Sequence, residues 1–99
     1  MYELSYHKQA RKFLKKETKQ NKNFIEDKLE ILAKDPKSEK LNWRKLKGLA
    51  GKEGLCRLKI PPYRVIYRIE ESEKIIHVIL IEYRGAIYNL LNRMYSILI

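Results

Sequence analysis

The stretch from Leu55 to Ile69, LCRLKIPPYRVIYRI, constrains the fold more than any other part of the chain. Side chains of a strand alternate between its two faces, so Cys56, Leu58 and Ile60 go to one side and Leu55, Arg57 and Lys59 to the other. Beyond the Pro-Pro corner, Val65, Tyr67 and Ile69 alternate with Arg64, Ile66 and Arg68. If Ile60, Pro61, Pro62 and Tyr63 form the connection, Lys59 lies across from Arg64, and opposed residues share a face of the sheet. Like charges so placed repel, and folding gains nothing from them. The pair therefore predicts a bound anion, most simply a phosphate.

The apolar run IIHVILI supplies a further strand, and Tyr2, Leu4 and Tyr6, alternating with Glu3 and Ser5, read as a short first one. Between them, helical spacing of Ala10, Phe13 and Leu14 predicts a helix from about His7 to Lys19. Asn21 and Asn23 are expected to interrupt it and cap a second helix, which runs to about Ala33. Ile25, Leu29 and Leu32 form its apolar stripe, with Phe24 and Ile31 widening it, and Asp35-Pro36 ends it. The segment KSEKLNWRKLK reads as a loop entering a short strand, with Trp43 as a core plug, and Gly48, Gly51 and Gly54 mark a turn. After Tyr83, the segment AIYNLLNRMY places Ile87, Leu90, Leu91 and Met94 at helical spacing. The predicted class is α+β: an antiparallel sheet in the order β-α-α-β-β-β with a short C-terminal helix, covered on one face by a helical hairpin.

A chain of 99 residues predicts a single domain, residues 1–99, with one core. Its 22 Lys and Arg against 12 Asp and Glu give a formal net charge of +10, the balance of a partner for nucleic acid, an anionic membrane or an acidic protein. The absence of a long apolar segment predicts a soluble, cytoplasmic protein with no membrane contact. The single cysteine, Cys56, excludes an internal disulfide framework, and its alternation with Leu58 and Ile60 favours a buried apolar role over a nucleophilic one. His7 and His77, the only histidines, have no clustered ligands at metal spacing, and each is expected to be structural. No metal or other cofactor is expected.

The segments KLKGL, CRLKI, PYRVIY and the closing YRGAIY resemble the successive blocks of the RelE/ParE toxin superfamily, in the same order and over nearly the whole chain. The resemblance implies the toxin of a type II toxin-antitoxin pair. Its RelE branch cuts messenger RNA in the decoding site of the ribosome, whereas its ParE branch poisons DNA gyrase. It also implies an acidic, RelB-like antitoxin as partner, in addition to ribosome and messenger RNA. By position within the blocks, Arg57 and Lys59 match the family's basic pair, Arg64 its characteristic arginine, and Arg84 and Tyr88 its terminal arginine and tyrosine. The chain departs from many relatives in placing Gly85, Ala86 and Ile87 before that tyrosine, where they carry further basic residues.

Metal-independent RNA cleavage needs the neighbouring 2′-hydroxyl held in line with the phosphate, charge stabilised on the phosphorane, and two proton transfers. Arginine does not give up its proton, so Arg64 and Arg84 are assigned to charge stabilisation, and Arg57, Lys45, Lys47 and Arg68 to RNA phosphate binding. Lys59 and Tyr88 can exchange protons, and neighbouring cations favour the deprotonated form of a lysine or a phenol. Lys59, Arg64, Arg84 and Tyr88 form the expected catalytic set, with Tyr88 as base and Lys59 as acid or charge stabiliser. A gyrase inhibitor would keep the fold without needing convergence of these groups. A noncatalytic RNA-binding module would use exposed aromatic rings, for which Tyr63 and Tyr83 are the candidates.

Overall fold

The computed structural model describes residues 1–46 and 54–95. The elements are β1 (Glu3–Tyr6), α1 (Lys8–Lys16), α2 (Lys19–Lys34), β2 (Asn42–Lys45), β3 (Leu55–Ile60), β4 (Tyr63–Glu70), β5 (Ile75–Tyr83) and α3 (Ile87–Tyr95). The strands form one sheet in the order β1-β5-β4-β3-β2. The sheet is not wholly antiparallel as expected: β2 to β5 form an antiparallel meander, but β1 runs parallel to β5. The two helices carry the chain across one face to the far edge, and the meander returns to β1 with β5 pointing the same way. Alternation in a sequence carries no record of strand direction, so the pairing was invisible there.

Pairing of β1 with β5 ends at Tyr6 and Val78. Beyond it a side chain replaces the missing strand. The Gln9 amide donates to the Ile81 carbonyl and accepts from the Ile81 N–H, each at 2.8 Å, so both backbone groups of a fully buried residue are satisfied.

The helices depart slightly from expectation at their junction. α1 stops at Lys16, and Thr18 rather than Asn21 or Asn23 caps α2, its hydroxyl accepting from the Asn21 N–H at 3.2 Å. Both asparagines lie inside α2, because a threonine already in extended geometry satisfies the free N–H groups one turn earlier. α2 ends at Lys34, one residue before Asp35-Pro36, as the proline demands. Ile25, Leu29 and Leu32 are fully buried, whereas Phe24 is 45 % exposed and does not widen the stripe.

One core lies between the helices and the sheet, where Ala10, Leu14, Ile25, Leu29 and Leu32 meet Leu58, Ile60, Val65, Tyr67, Ile76, Val78 and Ile81. Trp43 packs at its margin as a plug, and Cys56 is buried in it. A second cluster occupies the opposite face, contrary to the single core expected. There Ile87 and Leu91 of α3 seat on Leu55, Ile66, Ile79 and Leu80. The seat is made by a register shift: Ile66 pairs with Leu80 and Tyr67 with Val78, leaving Ile79 as an extra residue on β5. The bulge turns both Ile79 and Leu80 toward α3, where strict alternation would have sent one of them to the helical side. α3 thus covers only part of this face, and the end nearest the Pro-Pro corner carries the charged residues.

Candidate active site

The Pro-Pro corner fixes the geometry as the alternation implied. Ile60 pairs with Tyr63 and Lys59 with Arg64, while Arg57 pairs with Ile66, whose side chain belongs to the α3 cluster. Arg57, Lys59 and Arg64 therefore rise from the α3 side of the sheet. Arg84 is brought to the same corner by the end of β5, where its N–H donates to the Pro62 carbonyl at 3.1 Å. A turn follows, closed by the Ala86 N–H on the Tyr83 carbonyl at 3.0 Å, and α3 begins. Burial of Ile87 anchors its first turn, and Tyr88, the next residue, points outward with 42 % of its surface exposed.

Arg64 is the one buried charged side chain among the described residues, 6 % exposed. Its Nη1 donates to the Tyr63 carbonyl at 3.0 Å. Burial, followed by the like charges of Arg57 and Arg84, pulls its pKa below the usual guanidinium value, and Tyr88 acts in the opposite direction. Arg57, Arg84 and Tyr88 therefore all lie near Arg64. Glu82 pairs with Arg64 in register but turns its carboxylate to the Tyr83 N–H, 3.0 Å away. Among the described residues, no carboxylate forms an ion pair with any of the three arginines. Arg57 adds to the imbalance: its Nη2 donates to Asn42 Oδ1 at 3.3 Å, but its buried Nε has no partner. A buried cation facing two others, with unused donors, is what an anion-binding cluster requires.

The remaining candidates divide. Lys59 stands opposite Arg64 on the sheet, yet it is not among the charges that act on Arg64, and it borders a hollow beside Phe24, Lys28 and Asn42. Lys45 pairs with Cys56, whose thiol faces the helices, so alternation sets it off the arginine face, yet at the sheet edge it still borders the groove beside Tyr88. Arg68 shares the arginine face but pairs with Leu55 and His77 and acts on His7, beyond the α3 seat. Lys47 lies outside the described residues, as do Gly48, Gly51 and the tail after Tyr95. A residue that sequence reasoning missed is Arg44, exposed, paired with Arg57, and lining with Lys45, Leu46 and Tyr88 a groove of about 660 Å³. The β2–β3 register that puts it there follows from a connection whose length does not specify pairing.

Two aromatic candidates for stacking are otherwise engaged. Tyr63 is 3 % exposed and its hydroxyl donates to Glu17 at 3.1 Å; burial, then this carboxylate, pushes its pKa up to about 12. Tyr83 is more exposed but donates to the same carboxylate at 3.3 Å. Neither ring lies on the arginine face, because both belong with Phe13 on the helical side. The Cys56 thiol is buried and its pKa is raised by that burial, so it is a core residue. The two histidines, read separately in the sequence, meet edge to face at 5.6 Å, and Glu70 holds His77 at 2.9 Å. They form a group apart from the arginine cluster. Among the described residues, no three His, Cys, Asp or Glu side chains are placed to hold a metal ion, and no helix is long and apolar enough to cross a membrane.

The fold and the cationic cluster define a class, and comparison with known proteins gives it a name. The architecture is similar to that of the archaeal RelE in its complex with RelB from Pyrococcus horikoshii, at 30% identity over 85% of this chain and 96% of that one, with a TM-score of 0.69. It is also similar to an arginine-to-alanine double mutant of the E. coli toxin RelE in the free state, at 21% identity over 98% of each chain, with a TM-score of 0.70. A third similar structure, the toxin-antitoxin complex RelBE2 of Mycobacterium tuberculosis, gives 19% identity over 84% of this chain and 98% of that one, with a TM-score of 0.66. No curated protein matches the sequence. Residues 4–88 match the family described as the ParE toxin of the type II toxin-antitoxin system parDE. The chain belongs to this family, as a toxin on the RelE-like side of the RelE/ParE superfamily.

Proposed function

We propose that the toxin is an endoribonuclease that cuts messenger RNA on the ribosome without a metal ion, and so inhibits translation. The observation that carries this reading is the convergence of Arg57, Arg64 and Arg84 beside exposed Tyr88, with no carboxylate to neutralise them among the described residues. Arg64, buried and flanked, clamps the scissile phosphate, while Arg57 and Arg84 take up charge on the phosphorane. Tyr88 serves as the base that takes the proton of the 2′-hydroxyl as that oxygen attacks phosphorus. The P–O5′ bond breaks and the leaving oxygen receives a proton from a general acid, a role that the matched family position gives to Lys59, which must swing from its hollow toward Arg64 to fill it. The products are a 2′,3′-cyclic phosphate and a 5′-hydroxyl. Arg44 and the groove it lines extend the cationic path for the flanking RNA. The carry-over of roles from the family rests on matched positions, and the nearness of Arg57, Arg84 and Tyr88 to Arg64 supports it.

The same cationic face suits an acidic, RelB-like antitoxin in the cytoplasm. Two of the similar structures named above are toxin complexes with RelB-type partners. On α3 little apolar surface is left for such a contact: Leu91 is buried and Leu90 partly so, leaving Met94 exposed. The ParE name of the matched family favours a second reading, inhibition of DNA gyrase. The two separate in one experiment. Purified toxin is given to translating ribosomes and, in parallel, to gyrase with relaxed plasmid. Cleavage that drops on Arg64→Ala while ribosome binding persists supports the nuclease. Inhibited supercoiling with intact messenger RNA supports the gyrase poison.

A further inference from the structure

Glu17 is the only acidic residue between Glu3 and Glu26. It stands at the junction of the helices, as C-cap of α1 and neighbour of Thr18, the N-cap of α2, so the two helix ends act on its carboxylate in opposite directions. Its contacts explain the placement. Oε1 accepts from the Tyr63 hydroxyl at 3.1 Å and from the Asn21 side-chain amide at 3.1 Å, and Oε2 accepts from the Tyr83 hydroxyl at 3.3 Å. Tyr63 and Tyr83 are cross-strand partners with ring centroids 5.1 Å apart, and Phe13 packs edge-on against both.

Each tyrosine immediately precedes an arginine of the cluster. Arg64 follows Tyr63 and hydrogen-bonds its carbonyl, and Arg84 follows Tyr83 and is tied through its N–H to Pro62. One carboxylate on the helical side thus joins the two strand ends from which these arginines emerge. Repulsion between Arg64 and Arg84 works against this junction, and the carboxylate adds a side-chain tie to the backbone pairing that holds it. We propose that Glu17 is a positioning residue: through the phenols of Tyr63 and Tyr83 it holds Arg64 and Arg84 at the spacing needed to grip one phosphate. The functional half of this inference rests on the nuclease reading above, whereas the structural half does not.

The test uses full-length Glu17→Ala, Glu17→Gln and Tyr83→Phe toxins, the last being safe for folding because the ring is 44 % exposed. Single-turnover cleavage on saturating ribosomes should fall roughly ten- to a hundredfold in Glu17→Ala, the scale of a misplaced reacting group, with ribosome affinity unchanged. Glu17→Gln keeps an acceptor oxygen for one phenol and should lie between. If the tie acts through the phenols, adding Tyr83→Phe to Glu17→Ala should lower the rate by less than the product of the single effects. The Nε–H resonances of Arg64 and Arg84 in the free toxin, read by NMR, should shift or broaden in Glu17→Ala and Tyr83→Phe, and this arm needs no ribosome. Shifted resonances in a protein that never cleaves would uphold the tie and remove the nuclease reading. Wild-type cleavage together with unmoved arginine resonances in a folded Glu17→Ala, or in Tyr83→Phe should that variant not fold, would overturn the proposal.

Discussion

Replacing Arg64 by methionine should make the protein more stable and less active, an outcome that separates a phosphate clamp from a structural ion pair. Arg57 faces Ile66 and Arg64 faces Lys59, so the two arginines stand on a cross-strand diagonal, a separation of about 7–8 Å. At an effective dielectric constant of about 20, two unit charges so spaced repel by about 2 kcal/mol. Arg84 contributes in the same direction. Losing the hydrogen bond from this charged donor to the Tyr63 carbonyl, worth about 1.5–3 kcal/mol, opposes the gain. Methionine retains the length and apolar stem of the arginine at a site 6 % exposed, and the net gain should be about 1 kcal/mol, or roughly 4–8 °C in Tm. In the same variant, single-turnover cleavage should fall by about 10²–10³-fold, the usual effect of deleting one preorganised donor. Differential scanning calorimetry in chloride and in phosphate at matched ionic strength completes the assay, since only the wild type should melt higher in phosphate. A loss of about 3–5 kcal/mol, the signature of a broken buried pair, would refute the reasoning and identify Arg64 as structural.

Three further outcomes follow from the same geometry. Tyr88→Phe should lower cleavage by about 10²-fold, and because the ring is 42 % exposed, Tyr88→Ala should change stability by no more than about 1 kcal/mol in denaturant melts; wild-type cleavage by the Phe variant eliminates the phenol from the chemistry. Burial, then His77, Arg68 and Arg11, lowers the His7 pKa below its usual 6.5, so the unfolded chain takes up the proton first, and stability present above about pH 6.5 is lost as pH falls through the lower folded value. His7→Gln should flatten that part of the pH–stability curve, and an unchanged slope would contradict the assignment. Gln9→Leu leaves both backbone groups of buried Ile81 unpaired and should cost roughly 2–4 kcal/mol in urea unfolding.

The arginine cluster was legible where local geometry is rigid and illegible where it depends on pairing at a distance. Two prolines leave the β3–β4 connection little freedom, so the opposition of Lys59 and Arg64 followed from alternation alone. The direction of β1, the paired histidines and the position of Arg44 all arise from contacts between segments far apart in the chain. A single extra residue at Ile79 builds the seat of α3, yet within IIHVILI every position is apolar or nearly so, and no change of pattern marks the bulge. Gln9 and Glu17 carry no signal in the sequence beyond polarity, because their roles lie in contacts with strands far along the chain. The misplaced cap has a simpler cause. Threonine and asparagine both cap helices well, and the sequence offered Thr18, Asn21 and Asn23 within six residues.

The most direct test of the central claim is primer-extension mapping of messenger RNA on translating ribosomes exposed to the toxin, with chelator added to the limit the ribosomes tolerate, beside the same RNA free in solution. The account predicts discrete cuts on the ribosome that leave a 2′,3′-cyclic phosphate and a 5′-hydroxyl, undiminished by the chelator, with free RNA cut far more slowly because the ribosome supplies the in-line orientation. Intact messenger RNA on ribosomes that have bound active toxin, or efficient cleavage of free RNA that chelation abolishes, would contradict it.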